Sequence, residues 1–349
     1  MKCKVVAVDK PTIIHPAEVH KMSVDFINFS SREVSFPKEY FTPASYCYEV
    51  ENGKVVGNRS CVVGDELYID TPIEWGKKEL LDYIVRVKKT HNREFSFFEG
   101  YEPESGEADL AIPRPYIHIE EDVFFCGSVE YWNFGFFLCV LMQKVFLACS
   151  IDQSRKILVP VCNSWQVKLL RTFFPNANFI FFDPSQIVSF RRMTVIGWPG
   201  FGFHMHSGYV KYLGDMVASF KFDGAVDPYN LWFARQDGLY GKRFEIIKKL
   251  SSDLLKNGFV PVYPELLNPE RIAKMVNGSR SIVLDSGSAL FNLIFSQEKN
   301  SATLFESRSD FLLNHSRFMN SCEMNSKVIF VDELSDIQSI SKKIFNSKN

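Results

Sequence analysis

The chain has 349 residues, 46% hydrophobic and 23% charged, with a net charge of −1. That is a globular composition, long enough for two domains with their own cores. The near-neutral balance gives no support for long-range attraction to nucleic acid or anionic lipid, and no nucleic-acid partner is expected. Aromatic residues make up 15% of the chain, 33 of them Phe; an aromatic core explains them, with stacking of sugars or bases as the sharper reading.

The opening MKCKVVAVDKPT carries no apolar run of signal-peptide length. Eight cysteines, none spaced as CxxC and several within apolar runs, read as reduced thiols. Together these lead to the expectation of a cytoplasmic chain. Residues 1 to about 120 are short β-prone pieces such as KVVAV, CVVGDELYI and YIHIEEDVFF, separated by Pro, Gly and acidic loops. The aromatic run FINFSSREVSFPKEYF suits a buried strand pair or docking at the inner face of a membrane. Tyr131 to Ile151 has the length of a membrane span, but Asn133, Gln143 and Lys144 interrupt it, so the expectation is a buried core helix.

Beyond that helix a β-α-β rhythm begins. KILVPV reads as a strand, NSWQVKLLRTFFP as a helix capped by Asn163 or Ser164, and NFIFFD as the next strand, which implies a parallel sheet. Residues 197–230 are dense in Gly and Pro and read as irregular, with the domain connection in or just after them. This divides the chain into an N-terminal domain over 1–220, β-rich at its start and α/β from about 120, and a C-terminal α/β domain over 221–349.

From Leu231 strands and helices alternate. LWFAR, FVPVY, SIVL, ATLFE and KVIFVD read as strands. RFEIIKKLSSDLLKNG reads as an amphipathic helix with Gly258 beyond its end, NPERIAKMVNG as a helix capped by Asn268 with Pro269 at its first position, and SALFNLIF and ELSDIQSISKKIF as further helices. In such a doubly wound sheet, ligands sit outside the carboxyl ends of the strands. Three polar clusters fall there: Arg235 after LWFA, Pro264-Glu265 after FVPVY, and Asp285 to Ser288 after SIVL.

Taken in order, FARQDGLYGKRFEI, GFVPVYPELLNPERIAKM, SRSIVLDSGSALFNLIF and ATLFES resemble glycosyltransferase family 61. Upstream, NFGFFLCVLMQKV and KILVPVCNSWQVKLLRTFFP are similar to the family's preceding segments, so the resemblance runs from about residue 130 to residue 306. Arg235, Arg243, Glu265, Gly287, Asn292 and Glu306 match the family pattern. The chain departs from it at Phe136 and Ser286, where the family has histidines, and at Leu284, where it has glycine; this marks a divergent member.

The resemblance implies a GT-B architecture: two Rossmann-like domains facing a cleft, the nucleotide-sugar mainly on the C-terminal one and the acceptor on the side of the N-terminal one. It implies transfer of a sugar from a nucleotide-sugar, UDP-sugar foremost, to a glycan or lipid-linked glycan acceptor in surface polysaccharide biosynthesis, with peripheral membrane association as an accompanying expectation. The leaving nucleotide carries charge that must be neutralised as it develops. No DxD pair suited to a divalent metal stands out, so no metal and no separate cofactor are expected, and arginines and backbone N–H groups take that role. Arg235 and Arg243 offer guanidinium forks to phosphate; a surface salt bridge or a helix-start arginine is the plain reading of each. Ser286, Gly287 and Ser288 offer N–H groups and hydroxyls; an ordinary turn with a serine cap is the alternative. Glu265 can hold a ribose or sugar hydroxyl, or serve as a helix N-terminal charge. Asn292 can bond the loop or ligand, or satisfy a neighbouring backbone group. An inverting transfer also needs a base, for which Asp285, His204 and His206 are the candidates; an exposed surface histidine is the plain reading of the last two. Two other readings stay open: a non-catalytic sugar- or nucleotide-binding scaffold of a polysaccharide assembly complex, and a different α/β enzyme such as a nucleotide-sugar epimerase.

Overall fold

The structure, a computed structural model, describes residues 1–6, 11–27, 38–70, 98–102, 105–112, 117–197, 205–220, 229–234, 244–296, 300–306 and 313–330. The chain is mixed α/β, with a large mixed sheet, a six-stranded sheet and a small strand pair. It divides into two compact units, Met1–Glu18 with Thr42–His204 and Val19–Phe41 with Met205–Asn349.

Glycine turns shape the antiparallel side of the first unit. The strand Ser45–Val56 reverses at Gly57, where φ is 73°, into Ser60–Val63, and that strand reverses at Gly64, where φ is 60°, into Glu66–Ile69. Positive φ costs a residue with a Cβ, so glycine occupies both corners. The other side is parallel, in the order Phe179–Phe182, Lys156–Pro160, Val123–Phe125, Val188–Ile196. Numbered along the chain this is 3-2-1-4, the start of a Rossmann order. Val188–Ile196 then joins Ser45–Val56 in antiparallel fashion and closes the two halves into one sheet.

The apolar run is helical from Phe134 to Ile151, with a π-turn over Phe137–Leu141. Asn133 caps its start by accepting from the Gly135 N–H at 2.9 Å. By length and composition this helix could cross a membrane, yet 67% of the stretch is buried. Its polar interruptions lie inside as well: Gln143 and Lys144 are both fully buried. Lys144 Nζ pairs with the carboxylate of Asp70 and donates to the Gly127 carbonyl at 2.7 Å. Arg59 Nη1, also buried, donates to the Asp70 carbonyl at 2.9 Å.

The second unit is a wholly parallel sheet in the order Phe259–Val262, Tyr229–Phe233, Ser279–Asp285, Ser301–Glu306, Asn325–Phe330, Asp25–Ile27. Its five C-terminal strands follow the order 2-1-3-4-5, doubly wound like flavodoxin. Helix Phe244–Lys256 lies on one face, where Leu250 and Leu254 join Trp232, Ala234, Val283 and Phe305 in a buried cluster. Gly258, at φ 75°, follows the helix as the sequence suggests. Helix Pro269–Asn277 starts at Asn268, whose side chain accepts from the Arg271 N–H at 2.7 Å. The Ser288–Phe295 segment is a 3₁₀-helix.

Two sequence expectations change here. Within the stretch read as irregular, Ser207–Ser219 is a helix burying Tyr209, Leu213 and Val217 at four-residue spacing. Its packing against Pro269–Asn277 and Ser288–Phe295 outweighs the weak helix propensity of its two glycines. The second change is at the far edge of this sheet, where Asp25–Ile27 pairs with Asn325–Phe330, far from it in sequence. The segment is pinned by Asn320, whose Oδ1 accepts from the Ser23 N–H at 2.7 Å. The helix expected over ELSDIQSISKKIF lies outside the described residues.

All eight cysteines are free; Cys162 is exposed, Cys47 and Cys149 are half-buried, and the other five are buried. Burial pushes the Cys61 thiol up to about 12 and raises those of Cys126 and Cys322 as well. Alkylation of the native protein at mildly alkaline pH is therefore expected to label Cys162 first, Cys47 and Cys149 slowly, and the buried five only after denaturation. Mass spectrometry of samples alkylated before and after unfolding reads this directly. Rapid native labelling of Cys61 or Cys126 would contradict the packing.

Candidate functional site

In a 2-1-3-4-5 sheet the chain leaves strands 1 and 3 in opposite directions, which opens a crevice at their carboxyl ends. Here those strands are Tyr229–Phe233 and Ser279–Asp285, and Trp232 is level with Val283. The first strand therefore exits through Ala234 beside the point where the other exits through Asp285 to Ser288. The sequence places candidate residues at both exits.

Asp285 ends its strand in register with Phe305 and is 5% exposed. Ser286 is buried, and its N–H donates to the Phe305 carbonyl at 3.1 Å, which extends the ladder one residue past the strand. Gly287 has φ 137° and ψ −170°, a region open essentially to glycine alone. Its carbonyl accepts from the Leu290 N–H at 3.0 Å and starts the 3₁₀-helix. Ser288 is exposed. The four residues thus form a sharp corner between a buried strand and a buried helix, with Ser288 at the open side.

Asn292 lies one turn further on and is 1% exposed. Its Nδ2 donates to the Ala289 carbonyl at 3.0 Å, within the first turn of the 3₁₀-helix. Its Oδ1 is buried with no partner among the described residues. Glu265 falls in the 3₁₀ turn Pro264–Leu266 that follows the edge strand Phe259–Val262. Arg235, Arg243 and His204 lie outside the described residues. His206 is not the exposed histidine of the plain reading: it is fully buried, and its carbonyl accepts from the N–H groups of Tyr209 and Val210 at the start of helix Ser207–Ser219. His206 is the N-cap of that helix, and its side chain lies in the core while Ser207 and Gly208 stay exposed. Among the described residues, no group of three His, Cys, Asp or Glu side chains is placed to hold a metal ion.

Glu306, one of the residues that match the resembled pattern, has a partner that the sequence did not single out. Glu306 ends the strand next to Ser279–Asp285, and its Oε2 lies 3.1 Å from Nδ1 of His315 on helix Leu313–Ser321. The Glu306 side chain is 0% exposed and that of His315 7%. The usable signal was an acid closing an apolar strand, ATLFE, at the carboxyl edge; nothing local tied it to a histidine beyond the next loop.

No protein-family model and no curated protein matches the chain. Among solved structures it is similar to a dienelactone hydrolase from Anabaena variabilis, at 10% identity over 35% of this chain and 85% of that one, with a TM-score of 0.24. It is also similar to the metal-soaked Flv1 flavodiiron core from Synechocystis sp., at 8% identity over 94% and 96%, with a TM-score of 0.26. Both scores are too low for either likeness to bear on fold or activity.

Proposed function

We propose that this chain is a glycosyltransferase of GT-B type that moves a sugar from a nucleotide-sugar, UDP-sugar foremost, to a glycan or lipid-linked glycan acceptor. The transfer is inverting and metal-independent, and serves surface polysaccharide biosynthesis at the cytoplasmic side. The observation that carries this reading is the corner Asp285 to Ser288, with Gly287 at φ 137°, at the switch point of a 2-1-3-4-5 parallel sheet. Glycine lets a phosphate approach the backbone closely there, and the N–H groups that follow it can take the charge. Arg235, the second residue past the neighbouring strand, supplies a fork for the same phosphate, with Arg243 as the second cation. The 3-2-1-4 parallel order in the first unit supports the two-Rossmann-domain reading. Fold alone assigns no activity, so the proposal rests on the site and on the motif order described above.

A non-catalytic nucleotide- or sugar-binding scaffold is the second reading. One observation favours it: Phe136, where the family has a histidine, packs against Val129 and Val140 as a hydrophobic residue.

Titrating UDP, CMP, GDP and ADP into the protein while following its melting temperature tests binding, with Arg235→Ala alongside. A ligand bound only by the folded state adds about 2.7 kcal/mol at a hundredfold excess over its dissociation constant. One nucleotide, UDP foremost, is expected to raise the melting temperature of the wild type and not of the variant. If none of the four does so, the nucleotide cleft is lost as an explanation. Binding without turnover of any donor would select the scaffold.

A further inference from the structure

The transfer needs a base, and the sequence leaves it among three candidates. We infer that the base is His315, held and oriented by Glu306; this rests on the transferase reading above. Asp285 is in register with Phe305, so Ser286 and Glu306 occupy the next level of two adjacent strands, about 4.8 Å apart. The Ser286 N–H donating to the Phe305 carbonyl at 3.1 Å fixes that alignment. Ser286 is the position at which the resembled family carries a histidine. Glu306 stands at that level of the neighbouring strand, and the imidazole it holds comes from the following helix.

The pair has the features of an oriented base. Glu306 Oε2 meets His315 Nδ1 at 3.1 Å, and the edge-on ring of Phe291 fixes the imidazole from a second side at 6.3 Å. Phe291 belongs to the 3₁₀-helix that leaves the candidate corner. The carboxylate takes Nδ1, which leaves Nε2 as the nitrogen to receive a proton, and the side chain keeps 7% of its surface open. Glu306 Oε1 is buried and has no partner among the described residues. A buried carboxylate with one oxygen unsatisfied is costly; in this arrangement it stays paired to the ring and steadies the imidazolium once a proton arrives.

In the reaction, the acceptor hydroxyl oxygen bonds to the anomeric carbon as the bond from that carbon to the donor phosphate oxygen breaks. The hydroxyl proton passes to Nε2 of His315, and the bonding pair leaves with the nucleoside diphosphate. Deprotonation of the ring by solvent resets the base. His315 is the catalytic residue in this assignment and Glu306 a positioning residue.

The test uses the full chain, with UDP-glucose, UDP-galactose, UDP-N-acetylglucosamine and UDP-xylose as donors, methyl glycosides as acceptors, and UDP release as readout. His315→Ala is expected to lower kcat by about 100-fold or more, with the donor KM and the UDP-induced rise in melting temperature unchanged. Free imidazole should restore part of the rate, which a purely structural role for the ring would not allow. Glu306→Gln should lower kcat by about tenfold, again with KM unchanged. His315→Asn replaces the alanine variant if the latter fails to fold. If the wild type releases UDP and both variants keep full kcat, or imidazole rescues nothing, the base assignment falls and the transferase reading stands. If the wild type releases no UDP from any donor and UDP does not stabilise it, both fall together.

Discussion

Replacing Lys144 by methionine is expected to destabilise the protein by about 3–5 kcal/mol. The ammonium is fully buried and pairs with Asp70, which is 2% exposed. It also donates to the Gly127 carbonyl at 2.7 Å, at the carboxyl end of strand Val123–Phe125. Methionine matches the length of the lysine stem but leaves the carboxylate inside without its ammonium. The Coulomb attraction of a buried pair roughly cancels the cost of desolvating both charges, so the loss comes from removing one charge while the other stays buried. The double variant Lys144→Met/Asp70→Leu should therefore recover most of what the single one loses. Urea unfolding of the three proteins reads both quantities. A single variant within about 1 kcal/mol of wild type would show that the carboxylate finds another partner or takes up a proton at little cost.

Gly287→Ala should cost about 1–3 kcal/mol in stability and abolish stabilisation by nucleotide. At φ 137° and ψ −170° an added Cβ clashes with the adjoining peptide groups. The corner relaxes, and the backbone N–H groups proposed to hold the phosphate are displaced. Gly64→Ala is the control: φ there is 60°, and its Cβ would meet nothing within 4 Å. It should lose about 1–2 kcal/mol from the left-handed conformation alone and keep its response to UDP. Melting curves of both variants with and without UDP separate the two cases. A nucleotide response retained in Gly287→Ala would remove the corner from the binding site.

The parts of this fold that could be read from the sequence are those with local causes. Asn268 and Pro269 start a helix because a side-chain acceptor and a residue without an N–H suit that place. Apolar runs ending in polar residues marked the parallel strands of the second unit, and with them the edge at which Asp285, Ser286 and Gly287 sit. Helix Ser207–Ser219 was hidden because Gly208 and Gly214 depress its propensity and only tertiary packing restores it. Gly214 has open space where a Cβ would stand, so nothing in the packing required the residue that obscured the pattern. Glu306 stood out only as a match to the resembled pattern; its pairing with His315 escaped notice because a loop separates the two and His315 belongs to no motif with fixed spacing. The place of Asp25–Ile27 at the sheet edge had no local signature at all, since nothing near those residues records their partner strand.

That edge strand bears on how the protein is made. Ser23 and Asn320 are bonded across 297 residues, so a ribosome delivers the first half of this contact long before the second. Until Asn325–Phe330 has been synthesised, the N-terminal segment has no strand to lie against. The C-terminal sheet, once formed, shows an open edge along Asn325–Phe330 until that segment returns to cover it. Open strand edges recruit other chains, and pairings this distant in sequence form slowly. Cutting the gene near residue 205 would separate the sheet from its own cover, so the second unit is a unit of structure without being a unit of inheritance.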